Sequence, residues 1–212
     1  MKDHDFDFES QPGLPAPLPP GETLLWQGRP DATVLAREAF AIRWITGYLV
    51  VLAFYKAGAS WADGGASLAL ARLLPYLVLA LAGYAAVYLM AWLQARATIY
   101  SITSARVILR IGAAVPMTFT IPFTCIEGAS LALHGTTGVG TVAMQTRADA
   151  QLAYAVIWPH AKPWVMRRTE PAFRAIPDAG RVARLLADTA SAKVNEPRIS
   201  RAAPRADLVA AE

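Results

Sequence analysis

The sequence predicts an α+β membrane protein: a two-helix transmembrane hairpin plus a small antiparallel β-barrel or sandwich closed by a C-terminal helix. Three observations carry this reading. The stretch Leu73 to Leu93, LLPYLVLALAGYAAVYLMAWL, holds no formal charge, and at about 1.5 Å per helical residue it spans the roughly 30 Å hydrocarbon core of a bilayer. After Arg96 the apolar period changes from helical to two, the mark of strands with one buried face. Near the end, DAGRVARLLADTA returns to helical spacing, with Val182, Leu185 and Leu186 in one stripe.

Composition agrees. The 212 residues are 55% hydrophobic with a mean hydropathy of +0.32, so a soluble portion of ordinary size remains beside the apolar runs. A formal charge of +4 does not point to nucleic acid. The basic residues are spread along the chain, without interleaved aromatics or a DNA-reading motif, and membrane-surface charge accounts for them better. Cys125 is the one cysteine, which excludes an intramolecular disulfide and a cysteine cluster for zinc or iron–sulfur.

Residues 1–21 open with the acidic, aromatic DHDFDFE and continue as PGLPAPLPPG. Prolines favour extended conformations, so a flexible arm is expected. The acidic start and the lack of an apolar core after it exclude a secretory signal. Phe6, Phe8 and Leu14 are poor choices for a pure linker and are candidates for insertion into a partner protein. Residues 22–43 read as a strand at Leu24–Trp26, a turn at Gly28–Pro30, and an interfacial helix in ATVLAREAFAIRW. Arg37 and Arg43 on that helix, with Arg96 after the second span, are candidate contacts for anionic lipid.

The hairpin is expected over residues 44–93, with spans at 44–62 and 73–93. Lys56 snorkels from the far end of the first span. A Gly-containing linker covers 57–72, and Pro75 falls in the first turn of the second span. Gly47, Ala53 and Ala57 on one helix and Ala82, Gly83 and Ala86 on the other permit close approach. Arg29, Arg37, Arg43, Arg96, Arg106 and Arg110 flank the hairpin, against Lys56 and Arg72 within its linker. That asymmetry predicts a multi-pass protein of the bacterial inner membrane, cytoplasmic or intracytoplasmic, with both termini in the cytoplasm.

Residues 94–192 form the expected cytoplasmic domain. ATIYSIT, RVILRIG, MTFTIPF, CIEGASLAL, GTVAMQT and LAYAVIW read as short strands, the last with Leu152, Tyr154, Val156 and Trp158 on one face. Pro122 marks an edge or a bulge. PHAKPW and RRTEPAF read as loop, and Asp178 as the cap of the closing helix. Residues 193–212, rich in Ala, Arg and Pro, are expected to be disordered.

Six or seven short strands closed by one helix is the layout of a pleckstrin-homology-like domain. GETLLWQGRP (21–30) and TIYSITSARVILRIG (98–112) resemble the opening and early strands of its bacterial form, in which a transmembrane hairpin stands between the two phrases. DFDFESQPGLPAPLPPGETLLWQGRP, the IWPHAKPW loop and the IPDAGRVARLLA helix resemble more closely the photosynthetic-complex assembly proteins of purple bacteria, the PuhB family. The likeness covers most of residues 5–190. It implies an inner-membrane factor whose partners are subunits of the reaction centre and of the core light-harvesting ring. A general membrane-anchored lipid- or protein-binding module, unrelated to photosynthesis, is the alternative.

No catalytic set is legible, and a non-enzyme without cofactor or metal is expected. His4, His134 and His160 lie outside both spans and are isolated in sequence. HGTTGVG matches neither phosphate-loop pattern and reads as a hairpin turn. Cys125 reads as a structural thiol. Arg106, Arg110, Arg147, Arg167 and Arg168 are spread along strands as a solvated face rather than an inositide pocket. Trp164 in WPHAKPW, a large ring expected to be exposed on a loop whose backbone Pro159 and Pro163 restrict, joins Phe6, Phe8 and Leu14 as a candidate grip on the partner, whereas Trp158 is expected to end a strand in the core. Membrane lipid is a further partner, nucleic acid is not, and homo-oligomerisation is left open.

Overall fold

A computed structural model describes residues 13–194, apart from Pro15, Ala114 and Thr136. Phe6, Phe8 and the expected tail beyond 194 lie outside the described residues. Leu14 lies inside them and is 2% exposed. The neighbouring Gly13, at φ 88°, sits on Ile99 and Gln27. Leu14 is therefore taken up by the fold and is not available to a partner, which corrects the expectation for it.

The first strand, β1 (Leu24–Gly28), pairs antiparallel with β2 (Ile99–Thr103), with Gln27 opposite Ser101 and Gly28 opposite Tyr100. Between them the chain makes α1 (Ala32–Glu38) and a long apolar helical element, α2 (Ile42–Ala97). The Asp31 side chain caps α1 by accepting from Val34 N at 2.8 Å. Ala41, at φ 51°, separates α1 from α2. The pairing explains why the two phrases flank the apolar region. Glu22 accepts from Arg106 Nε at 2.9 Å and Nη2 at 2.7 Å, and from Thr103 Oγ1 at 2.6 Å. The Arg106 guanidinium holds the Glu22 carboxyl below the usual carboxylate range.

α2 is long and apolar enough to cross a membrane. Its helical geometry fails at Gly64 (φ −151°, ψ 15°) and Gly65 (φ 67°, ψ −159°). A β-carbon at Gly83 would lie 3.0 Å from Leu49 Cδ1, although a straight helix would hold these residues about 51 Å apart. Ile42 and Ala91 likewise share a buried cluster with Ala36 of α1. The expected linker at 57–72 is corrected: the chain is helical on both sides of the glycine pair, because Ala57, Ala62, Ala66, Leu68 and Ala69 are good helix formers. Pro75 consequently lies well inside the helix rather than in its first turn.

β2, β3 (Arg106–Ile111) and β4 (Met117–Pro122) continue the first sheet in the order β1-β2-β3-β4. Pro122 ends the edge strand, where its missing N–H leaves no ladder bond unmade. A second sheet has the order β5-β6-β7, from β5 (Ile126–Leu133), β6 (Gly140–Thr146) and β7 (Ala172–Ile176). HGTTGVG connects β5 to β6, with His134 N donating to Val139 O at 2.8 Å. Both sheets contribute to one core: Tyr100, Ile102, Val107 and Leu109 from the first, Val142, Met144, Phe173 and Ile176 from the second. Val182 and Leu186 of the closing helix complete it.

Two segments differ from expectation. LAYAVIW is not a strand: Tyr154–Ile157 forms one helical turn, α3, with Trp158 N donating to Tyr154 O at 3.0 Å. Val156 and Trp158 are 43% and 45% exposed, so the alternating face does not exist. The ladder place next to β6 goes instead to β7, in a segment that reads as loop, with Val142 opposite Phe173 and Ala143 opposite Ala172. All five residues of β7 are buried, including Arg174, so it shows no alternation to detect. The closing helix, α4, runs Ala179–Val194.

Candidate functional site

The WPHAKPW loop lies where α1, the end of α2 and β7 meet. His160 N donates to Ile157 O at 2.7 Å, closing the α3 turn, and the Trp158–Pro159 peptide bond is cis. The His160 ring is 1% exposed. Its Nε2 lies 3.2 Å from Thr98 Oγ1, beside the C-terminus of α2, and its Nδ1 lies 2.6 Å from the Tyr100 hydroxyl. Burial, reinforced by the Arg174 charge, lowers the His160 pKa from 6.5 to about 3, so the ring is neutral. Burial also holds the Tyr100 phenol well above its usual range. Arg174 N donates to the Tyr100 oxygen at 3.3 Å. The phenolic proton is therefore directed at Nδ1, which leaves the ring proton on Nε2 facing Thr98.

Arg174 completes the knot. Its guanidinium donates from Nη1 to Pro159 O and Ala161 O, both at 3.4 Å, and from Nη2 to Glu38 O at 2.9 Å. Burial lowers its pKa, yet a guanidinium keeps its charge, and here it meets the carbonyl that ends α1, where a cation is favourable. Beside it, Leu35 of α1, Ala95 of α2 and Ala175 of β7 form a buried apolar contact. Thus the Arg174 side chain joins the loop to the end of α1, while its neighbour Ala175 packs against α1 and the end of α2.

Beyond the knot the loop is stapled and then opens. Lys162 N donates to Glu170 O at 2.9 Å, Lys162 Nζ lies 2.8 Å from Glu170 Oε2, and Ala161 bridges Pro171. Trp164, at φ 66°, is 88% exposed, and Met166 is 61% exposed. Trp158 packs edge-on against Phe40, with ring centroids 5.3 Å apart. It ends no strand and is not a core residue, because it covers the α1–α2 junction instead.

The other candidates are dispersed. Arg96 lies over the Trp92 ring, 5.4 Å from its centroid. Arg37 and Arg43 line two clefts at the start of α2. Arg106 pairs with Glu22, Arg168 with Glu127, and Arg147 with Asp149, so these arginines are engaged by carboxylates rather than gathered as a pocket. His134 lies 2.9 Å from Thr141 Oγ1 and 3.7 Å from Glu38 Oε2. Sequence reasoning missed the His160–Tyr100–Arg174 knot. The signal present in the sequence was a polar residue inside each of three apolar segments.

Two comparisons bear on identity. The chain is 55% identical over 207 residues, 97% of its length and 96% of the relative's, to an uncharacterized 23.7 kDa protein in the puhA 5′ region of Rhodobacter capsulatus. No solved structure matches. The profile of the bacterial PH domain family matches residues 40–190, more than half of the chain. With two antiparallel sheets on one core and a closing helix, the chain belongs to the bacterial PH domain family.

Proposed function

We propose that this protein is a non-enzymatic membrane assembly factor for the photosynthetic reaction centre and core light-harvesting complex. α2 forms a transmembrane hairpin, with both termini in the cytoplasm, and the PH-like domain presents the loop to subunits of the complex. The observation that carries the partner-binding part is Trp164, a large ring left 88% exposed on a stapled loop. Such rings dominate binding energy when an interface buries them. The association with photosynthesis rests on the resemblance in the arm, loop and closing helix, and on a relative in the puhA 5′ region. The hairpin reading is supported by the Gly64–Gly65 break and by the approach of Leu49 to Gly83.

Trp164→Ala should leave the protein folded in the membrane and weaken co-purification of reaction-centre and core-antenna subunits. Wild-type yield of the same subunits would exclude the loop as the grip. Deleting the gene should reduce reaction-centre and core-antenna absorption, whereas unchanged spectra would favour a general membrane-anchored module. Alkaline phosphatase fused after Glu212 should be inactive, and strong activity there would reverse the orientation.

A further inference from the structure

At the base of α2, two clefts share the same pair of guanidiniums. One, of about 690 Å³, is lined by Arg37, Glu38, Arg43, Trp44, Gly47 and Val51, with Tyr48. The other, of about 280 Å³, is lined by the same two arginines together with Tyr84 and Tyr88. Among the described residues neither Arg37 nor Arg43 has a hydrogen-bond or ion-pair partner. Glu38, the one carboxylate on the larger cleft, has Oε2 3.7 Å from His134 Nδ1. Two arginines with no ion-pair partner among the described residues thus line both clefts, with Glu38 as the one carboxylate beside them in the larger.

The walls carry a second kind of information. Trp44 is 81%, Tyr48 67% and Val51 68% exposed. Gly47 lies among them, and a β-carbon there would meet nothing within 4 Å. An open apolar groove therefore runs up α2 from the arginine pair. Guanidinium pairs suit phosphate oxygens, aromatic rings suit the headgroup level, and a groove floored by glycine suits an alkyl chain. A free phosphate would satisfy the arginines but leave the groove unused.

We propose that Arg37 and Arg43 bind the phosphate of an anionic phospholipid, with one acyl chain lying along Gly47 toward Val51. The site is separate from the loop that carries Trp164, and Arg96 lines neither cleft. The inference rests on the membrane placement proposed above, which alkaline carbonate extraction of the full chain tests independently.

The test is native mass spectrometry of the full chain in dodecyl maltoside, titrated with phosphatidylglycerol and with phosphatidylcholine of the same chains. Wild type should retain phosphatidylglycerol preferentially. Arg37→Gln with Arg43→Gln should weaken retention by roughly ten- to thirty-fold, as expected for two basic contacts to an anionic lipid. Both side chains are exposed, and an unchanged circular dichroism spectrum checks that the fold survives. Gly47→Leu keeps both charges but fills the groove, and it should also weaken retention. Equal retention of the two lipids, a double variant equal to wild type, or a Gly47→Leu variant equal to wild type would overturn the proposal. Displacement of phosphatidylglycerol by millimolar inorganic phosphate would overturn it too, by assigning the arginines to free phosphate.

Discussion

Acid should unfold this domain through His160. The ring is neutral inside the fold, where burial and Arg174 lower its pKa from 6.5 to about 3. An unfolded chain takes up the proton near 6.5, whereas the native state resists until about 3. The stabilising contribution is therefore complete above the unfolded pKa and is lost as pH falls toward the folded one. Each pH unit within that window removes about 1.4 kcal/mol, so moving from pH 7 to pH 5 removes about 2 kcal/mol. For a chain of this size that corresponds to roughly 4–8 °C in unfolding midpoint. The measurement is near-ultraviolet circular dichroism of the full chain in detergent, melted at both pH values, for wild type and His160→Gln. The glutamine variant lowers stability at both pH values but removes the titration, so its midpoint should fall less between pH 7 and pH 5. Other titrating groups are shared by both proteins and cancel in the difference. An equal acid shift in the two would refute the reasoning.

Two further outcomes follow from the same geometry. Arg174→Met leaves the carbonyls of Glu38, Pro159 and Ala161 without their buried donor; after allowing for the relief of a buried charge, a loss of roughly 2–4 kcal/mol is expected. Denaturant titration of the full chain measures it, and a change within experimental error would show that the clamp does not hold the fold. Leu49→Cys with Gly83→Cys should cross-link within one chain on mild oxidation in membranes, because the native contact already brings the two positions together. A Leu49→Cys with Val78→Cys control should not. No cross-link in the first pair, with both thiols reactive, would mean that the helix does not fold back there.

What the sequence disclosed was what repeats along the chain. The uncharged run around Leu73–Leu93 announces a membrane-length helix by length and composition, and the alternation of Val107, Leu109 and Ile111 and the stripe of Val182, Leu185 and Leu186 announce buried faces by period. Ile108 is also buried, at 2%, because β3 is covered on both faces, and alternation hides such residues. β7 was illegible for the same reason, being short and buried throughout. The members of the polar knot stand out singly, as polar residues in apolar segments, but nothing in the sequence shows that they meet. His160 meets Thr98 and Tyr100 across separations of 62 and 60 residues, and Arg174 meets Glu38 across 136. Local pattern carries no trace of contacts at that range. Leu14 misled for a simpler reason, since composition marks an apolar residue in a proline-rich arm but not where it goes.

The tryptophans bring the two halves of the functional reading together. Trp44, Trp61 and Trp92 lie on α2, where exposed rings are expected of a lipid-facing helix. Trp26 rests against Phe173 and Trp158 against Phe40. Among the described residues, Trp164 is the one tryptophan neither on the apolar helix nor against another ring, and it sits in the left-handed region at φ 66°. A non-glycine residue held there costs free energy, and an exposed indole recovers none of it by burial. The fold nevertheless fixes the base of this loop with the Lys162–Glu170 pair and the Ala161–Pro171 bridge, above the Arg174 clamp. Holding a large ring in place before a partner arrives reduces the entropy lost on docking. That is the physical reason to look for the partner at Trp164. The same clamp reaches the carbonyl of Glu38, so the loop and the arginine pair that flanks the α1–α2 junction are borne by one connected piece of structure.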